Sequence, residues 1–218
     1  MRVIAIDGPS GSGKSTIGRL VAEALGLEVL DTGAMYRAVT LAALEAGIAI
    51  DDADAATAVA ERCVIDVGAR TLLDGRDVST EIRGPEVTGA VSVVSAHPGV
   101  RAVLVARQRD WAEVHDGGVV EGRDIGTVVF PHATVKVFLT ASDDERARRR
   151  QRDESAADRV VDVTAVQESL ARRDALDSQR TVSPLRAADD ALVLDTTALG
   201  IDETVAEILA QIEKAEAR

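Results

Sequence analysis

Along most of this chain, short apolar, β-branched runs alternate with stretches in which apolar residues recur every three or four positions. Val3-Ile4-Ala5-Ile6 has no polar alternation and reads as a strand buried on both faces. It runs into a Gly-Pro-Ser-Gly-Ser-Gly loop, after which Ile17, Leu20, Val21, Ala24 and Leu25 keep helical spacing up to a terminator at Gly26. Leu27 to Leu30 predicts a second short strand, Asp31-Thr32-Gly33 a turn, and about Ala34 to Ala46 a helix that Gly47 ends. Residues 63–79 differ: strand-like pieces separated by Gly-Ala-Arg and Asp-Gly signals predict a small hairpin outside the main sheet. Helices are expected at about 84–95 and 98–114, the second opened by His97-Pro98.

Strand patterns return at Gly118–Gly122 and Thr134–Leu139. Ser142 and Glu145 have capping-box spacing ahead of a helix through Arg146–Arg150, and the polar residues 151–162 read as a mobile connection. Thr164 and Gln167 repeat that spacing before a helix to about Asp177; Ala191–Leu194 predicts a last strand and 202–216 a closing amphipathic helix. Strand, loop and helix in this order predict an α/β fold whose mostly parallel sheet has right-handed crossovers.

Composition narrows the partners. The 218 residues carry a formal net charge of −12, so nucleic acid and anionic membranes are expected to be repelled by most of the surface. Tyr36, Trp111, Phe130 and Phe138 are too few for a stacking platform on single strands. Of the 25 basic residues only Lys14, Lys136 and Lys214 are lysine, the rest arginine. Codon bias explains that excess as well as a functional need does. One cysteine, Cys63, cannot form an internal disulfide, and the opening MRVIAIDGPSG enters a strand with no signal-peptide stretch. With no long apolar run for a membrane helix, a cytoplasmic monomer is expected, since no dedicated apolar interface is visible.

The chemistry begins at Gly8-Pro9-Ser10-Gly11-Ser12-Gly13-Lys14-Ser15, a full match to the P-loop pattern, with Thr16 following. Glycines let the backbone curl so that N–H groups point at phosphate oxygens, and the helix N-terminus adds partial positive charge. Lys14 is placed to reach the terminal phosphates and Ser15 to put a hydroxyl on Mg2+, so ATP with Mg2+ is the expected donor. Loops after two further strands, Asp31–Arg37 and Glu121–Thr127, fall at the carboxyl end of the sheet, where ligands of open α/β sheets lie.

Four segments (GPSGSGKS at 8–15, DTGAMYR at 31–37, EGRDIGTVVFP at 121–131, RRDALDSQRTVSPL at 172–185) resemble the bacterial cytidylate kinases, P-loop kinases of nucleoside monophosphates, and the resemblance covers essentially the whole chain. It implies a P-loop core (1–37, 98–145, 163–218), an acceptor-binding domain (38–97) with a small β-sheet at the 63–79 insert, and a mobile lid (146–162). It implies that Arg37, Arg123 and Arg180 hold the phosphate of CMP or dCMP, that Ser92, Arg101 and Asp124 read cytosine, and that Arg173 and Asp177 contact the sugar near Thr32, where the family often has Ser. Arg149 and Arg150 match lid arginines; Arg146, Arg148 and Arg152 read as solvating the helix. Lys14, Arg123, Arg149, Arg150 and Arg180 are the expected catalytic set. For Glu121 two roles stay open, orienting a metal-bound water or serving as a buried structural carboxylate.

The residue types suit that chemistry. Arginine offers planar, permanently charged donors for two phosphate tails that repel each other out of water. Asp124 can accept from the exocyclic amine that cytosine has and uracil lacks. His97, His115 and His132 share no metal-ligand spacing, and no Ser-His-Asp set is evident. A kinase of AMP, UMP or another small acceptor, and a nucleotide-dependent switch without transfer activity, remain as alternatives.

Overall fold

The first apolar run forms strand β1 (Arg2–Asp7), and its side chains alternate between two cores. Val3 and Ala5 pack with Leu30, Val39, Leu104 and Val120, whereas Ile4 and Ile6 pack with Ile17, Val21, Val137 and Ile208. Ile4 and Ile6 are fully buried, and each contributes roughly 2–3 kcal/mol relative to exposure. That anchors the strand from which the glycine-rich loop springs.

The computed structural model describes residues 1–156 and 162–217. After β1 come α1 (Lys14–Leu25), β2 (Val29–Asp31), α2 (Thr32–Glu45), α3 (Ala53–Arg62), β3 (Ile65–Val67), β4 (Thr71–Leu73) and β5 (Arg76–Asp77). A 3-10 turn (Glu81–Arg83) leads to α4 (Pro85–Val94), α5 (Pro98–Val114), β6 (Gly117–Gly122) and a π turn (Ile125–Val129). The chain closes with β7 (Val135–Thr140), α6 (Asp143–Ala156), α7 (Val163–Ser178), β8 (Leu192–Asp195) and α8 (Ile201–Glu216). A five-stranded sheet has the order β2-β6-β1-β7-β8 with every pairing parallel. Its register brings Asp7, Glu121, Gly122 and Asp31 to one edge, the carboxyl ends of three adjacent strands. The 63–79 segment forms a separate antiparallel sheet in the order β3-β4-β5, so the expected hairpin gains a third strand.

Several boundaries differ from the sequence pattern. Helix α2 starts at Thr32, because Asp31 accepts the Ala34 N–H at 3.0 Å and caps the helix there instead of making a turn. Helix α3 has no counterpart in the predicted elements; capped by Asp52, it buries only Ala56, Val59 and Ala60, a stripe too weakly apolar to stand out. Residues 151–156 are the continuation of α6, not a connection: QRDESA contains no Gly or Pro, and Arg149 and Arg152 reach back to Glu145 at 3.0 and 3.3 Å. The capping box at Ser142 is half formed. Its Oγ accepts the Glu145 N–H, but its own N–H goes to Thr197 Oγ1, leaving Glu145 for the arginines. Helix α7 is capped by Asp162 and not by Thr164, and Gln167 instead donates to Asp144. Positions 157–161 of the expected lid lie outside the described residues. Among the described residues no single helix is long and apolar enough to cross a membrane.

Candidate active site

At the carboxyl edge of the sheet the loop between β1 and α1 wraps the start of the helix. Gly8 is forced: a Cβ there would lie 2.1 Å from the Leu139 carbonyl oxygen. Gly13, at φ 92°, occupies the cap position of α1, which has no side-chain cap and no acid in its first turn. The first N–H groups of α1 are left to an incoming anion. Lys14 is buried, its Nζ donating to the Pro9 carbonyl at 2.7 Å and to Ser12 Oγ at 3.4 Å, so the amine rests on its own loop. Ser15 donates to Glu121 Oε2 at 3.0 Å. Burial and nearby Arg123 pull the Lys14 amine downward, while burial and nearby Asp31 push the Glu121 carboxyl upward. Neither charge is well solvated here.

A cleft of about 360 Å3 opens beside this loop. It is lined by Ser10, Gly11, Gly13, Lys14, Ser15 and Thr16 from the front of the chain and by Thr32, Arg37, Ser92, Arg101, Arg123, Asp124, Arg150, Arg173, Asp177 and Arg180 from elsewhere. Eight basic side chains face five acidic ones there, the reverse of the −12 balance of the whole chain. Arg37 donates to the Ile82 carbonyl at 2.8 Å and Thr88 Oγ1 at 2.9 Å. Burial, then Arg173, Arg150 and Arg83, pull Arg37 down to about 9; burial and Arg123 pull Arg173 down to about 10. Such mutual repulsion is relieved by a bound dianion. The Nε atoms of Arg101, Arg173 and Arg180 are buried without a hydrogen-bond partner among the described residues, donors suited to a ligand.

Asp177 sits between two arginines, accepting from Arg123 Nε at 3.0 Å and Arg180 Nη2 at 2.5 Å. Both guanidinium groups hold its carboxyl below the usual range despite burial. Asp124 is paired with Arg101, both almost wholly buried. Arg101 lies 5.5 Å over the Tyr36 ring, so Tyr36 is a core residue that also lines the cleft. The Thr32 hydroxyl is committed to the Glu121 carbonyl at 2.7 Å.

The remaining residues face differently. Gly8, Pro9 and Ser12 shape the loop without lining this cleft, and Pro9 supplies the carbonyl on which Lys14 rests. Arg149 lines a second cleft on the other side of the loop, with Gly11, Gly13, Thr16, Thr196 and Ile201, and donates to Thr196 Oγ1 at 2.8 Å and to the Ser12 carbonyl at 3.3 Å. The two clefts share Gly11, Gly13, Thr16 and Asp153.

Arg146 corrects the sequence reading. It does not solvate the helix but is buried, donating to the Ser10 carbonyl at 3.1 Å, to Asp143 at 2.5 Å and to Asp174. It ties the glycine-rich loop to α6 and α7. Arg146→Ala is expected to lower the unfolding free energy by about 2–3 kcal/mol, because a half-buried Asp174 and a loop carbonyl lose their partner. Urea unfolding monitored by circular dichroism measures it. Arg83 and Ser95 also line the cleft and carry no motif of their own. Ser95, at the end of α4, accepts from Arg180 through its hydroxyl at 2.8 Å and from Arg101 through its carbonyl at 3.3 Å. Only the folded arrangement of α4, α5 and α7 reveals that.

The family model described as Cytidylate kinase matches residues 4–214 of the chain. A cytidylate kinase of Mycobacterium avium is 55% identical over 212 residues, spanning 95% of this chain and 91% of that protein. One of Desulforamulus reducens is 50% identical over 217 residues, spanning 98% and 97%. Among solved structures, a shikimate kinase of Acinetobacter baumannii in complex with shikimate superposes with a TM-score of 0.51 at 16% identity, covering 100% of this chain and 96% of that one. That likeness bears on the fold alone.

Proposed function

The chain belongs to the cytidylate kinase family, and from that premise we propose how its own residues carry out transfer of the γ-phosphoryl group of ATP to CMP or dCMP. The observation that supports the assignment most is the convergence, in one cleft, of the glycine-rich loop, an arginine cluster and the buried Arg101–Asp124 pair.

In this reading the triphosphate of ATP lies along the loop, with the donor nucleoside toward Arg149, and CMP or dCMP occupies the arginine-lined cleft. Lys14 leaves the Pro9 carbonyl for the terminal phosphates. Arg37, Arg123 and Arg180 hold the acceptor phosphate, Arg173 and Asp177 the sugar, and Asp124 with Arg101 and Ser92 the cytosine edge. Arg123 and Arg150 flank the space between the two phosphates. Direct in-line transfer needs no covalent enzyme intermediate; positioning and charge stabilisation suffice. The Ser15 hydroxyl and the Glu121 carboxylate, 3.0 Å apart, form an oxygen set suited to a hard cation, and they would hold Mg2+, which when bound supplies charge neutralisation between the phosphates. Residues 38–97 act as the acceptor-binding domain and 146–162 as the lid, in a cytoplasmic monomer, a compartment that accords with the unpaired, buried Cys63.

An acceptor panel tests the reading. In a coupled assay with ATP and Mg2+, CMP and dCMP are expected to be phosphorylated with kcat/KM on the order of 100-fold or more above AMP, and UMP to fall between. A preference for AMP, or nucleotide binding with no diphosphate formed, would overturn it.

A further inference from the structure

In a phosphate-gripping loop the grip comes from backbone N–H groups and the lysine, so side chains at the intervening positions are free for other duties. Ser10 holds one of those positions, and it is itself held at two atoms. Its carbonyl accepts from Arg146 Nη1 at 3.1 Å, and the same guanidinium is paired with Asp174 of α7. Its hydroxyl accepts from Arg173 Nη1, also at 3.1 Å. Arg173 and Asp174 are neighbours on α7, so that helix reaches Ser10 once directly and once through Arg146. Ser10 is 9% exposed and lines the arginine-lined cleft, not the cleft beside Arg149.

We propose that Ser10 is a positioning residue of the acceptor site: its hydroxyl fixes the Arg173 guanidinium where it meets CMP or dCMP, so a residue of the donor loop governs acceptor binding. The inference rests on the reading of Arg173 as an acceptor contact. Arg173 needs such an anchor. Arg123 and Arg150 both repel it, and its Nε is buried with no hydrogen-bond partner among the described residues. The carboxylates that attract it are engaged by other arginines, Asp177 by Arg123 and Arg180, Asp174 by Arg146. A hydroxyl also suits the task better than a further carboxylate. It accepts a charge-assisted hydrogen bond and sets a direction, yet leaves the positive charge uncancelled for an anionic ligand. Because Arg146 holds the Ser10 carbonyl, the path of the loop does not depend on the hydroxyl, and the two roles are separable.

Ser10→Ala deletes the hydroxyl and keeps the carbonyl anchor. With the other substrate saturating, KM for CMP is expected to rise on the order of five- to tenfold while KM for ATP stays within about twofold, a split that neither a donor-phosphate role nor a purely structural one produces. Neither constant depends on the fraction of enzyme that is folded. Arg173→Met should raise KM for CMP by itself, and the double variant Ser10→Ala/Arg173→Met should match it, since the hydroxyl acts through Arg173. A rise in KM for ATP as large as that for CMP overturns the proposal. So do both constants staying within about twofold of wild type, or a further rise in the double variant. If Arg173→Met leaves KM for CMP at the wild-type value, the reading of Arg173 as an acceptor contact is what fails, and the proposal falls with it.

Discussion

Replacing Lys14 with alanine is expected to lower kcat for CMP phosphorylation by on the order of 10^3-fold or more while leaving the unfolding midpoint almost unchanged. The two halves of this expectation have opposite physical origins. The ammonium group is buried, and among the described residues it donates to the Pro9 carbonyl and Ser12 Oγ, within its own loop. Burial and Arg123 work against its charge there. Removing an imperfectly compensated buried charge costs a fold little, and replacement by an apolar group is frequently neutral. With ATP bound the same charge meets the γ-phosphoryl group as negative charge shifts between oxygens, in a site from which water is excluded, where a fixed cation stabilises the transition state by several kcal/mol. Steady-state assays at saturating ATP and CMP measure the first half and calorimetric melting the second. Turnover within a few-fold of wild type would mean that the loop does not hold the donor phosphates. A large fall in melting temperature would mean that Lys14 braces the loop and is not held ready for ligand.

The parts of this site that could be read in the sequence are those whose signal is contiguous. The loop 8–15 is one unbroken segment, and its strand-before, helix-after context is equally local. Arg37, Arg123 and Arg180 each lie within a segment that carries the family resemblance, and the fold brings all three into one cleft. What the sequence hid depends on long-range partners. Arg146 looks like any arginine of a charged helix until the Ser10 carbonyl, 136 positions earlier, is seen against it. Asp7 looks like a bare strand end, whereas the two N–H groups its carboxylate accepts, those of Ile125 and Gly126, lie 118 and 119 positions away. Helix α3 escaped for a different reason. Alanine makes a good helix but a faint hydrophobic stripe, and only packing against α5 shows that Ala56 and Ala60 are core. Residues 151–156 misled because polarity was read as irregularity, although a polar helix is stabilised by the Arg–Glu pairs that Glu145 makes.

Asp124→Ala is expected to cut kcat/KM for CMP by on the order of 100-fold or more, to collapse the preference over UMP, and to leave slow acceptor-independent ATP hydrolysis nearly untouched. Stability must be separated from this, because Asp124 and Arg101 form an ion pair with side chains only 6% and 4% exposed. Deleting one partner leaves a guanidinium buried against the Ser95 carbonyl and the Tyr36 ring, at a cost of about 3–5 kcal/mol. For a chain of this size that lowers the melting temperature by roughly 10 °C, which a protein of ordinary stability survives at 25 °C. The double variant Asp124→Ala/Arg101→Met tells the two contributions apart. Methionine removes the stranded charge and fills much of its volume, so melting temperature should recover most of the loss. Selectivity should not recover, since no group is left to accept from the cytosine amine. If restoring the melting temperature also restored the preference for CMP, the pair would be a structural brace and base reading would reside elsewhere in the cleft. If hydrolysis fell as far as CMP phosphorylation in the single variant, Asp124 would act on the donor side, on the phosphates or their cation, and not on the base.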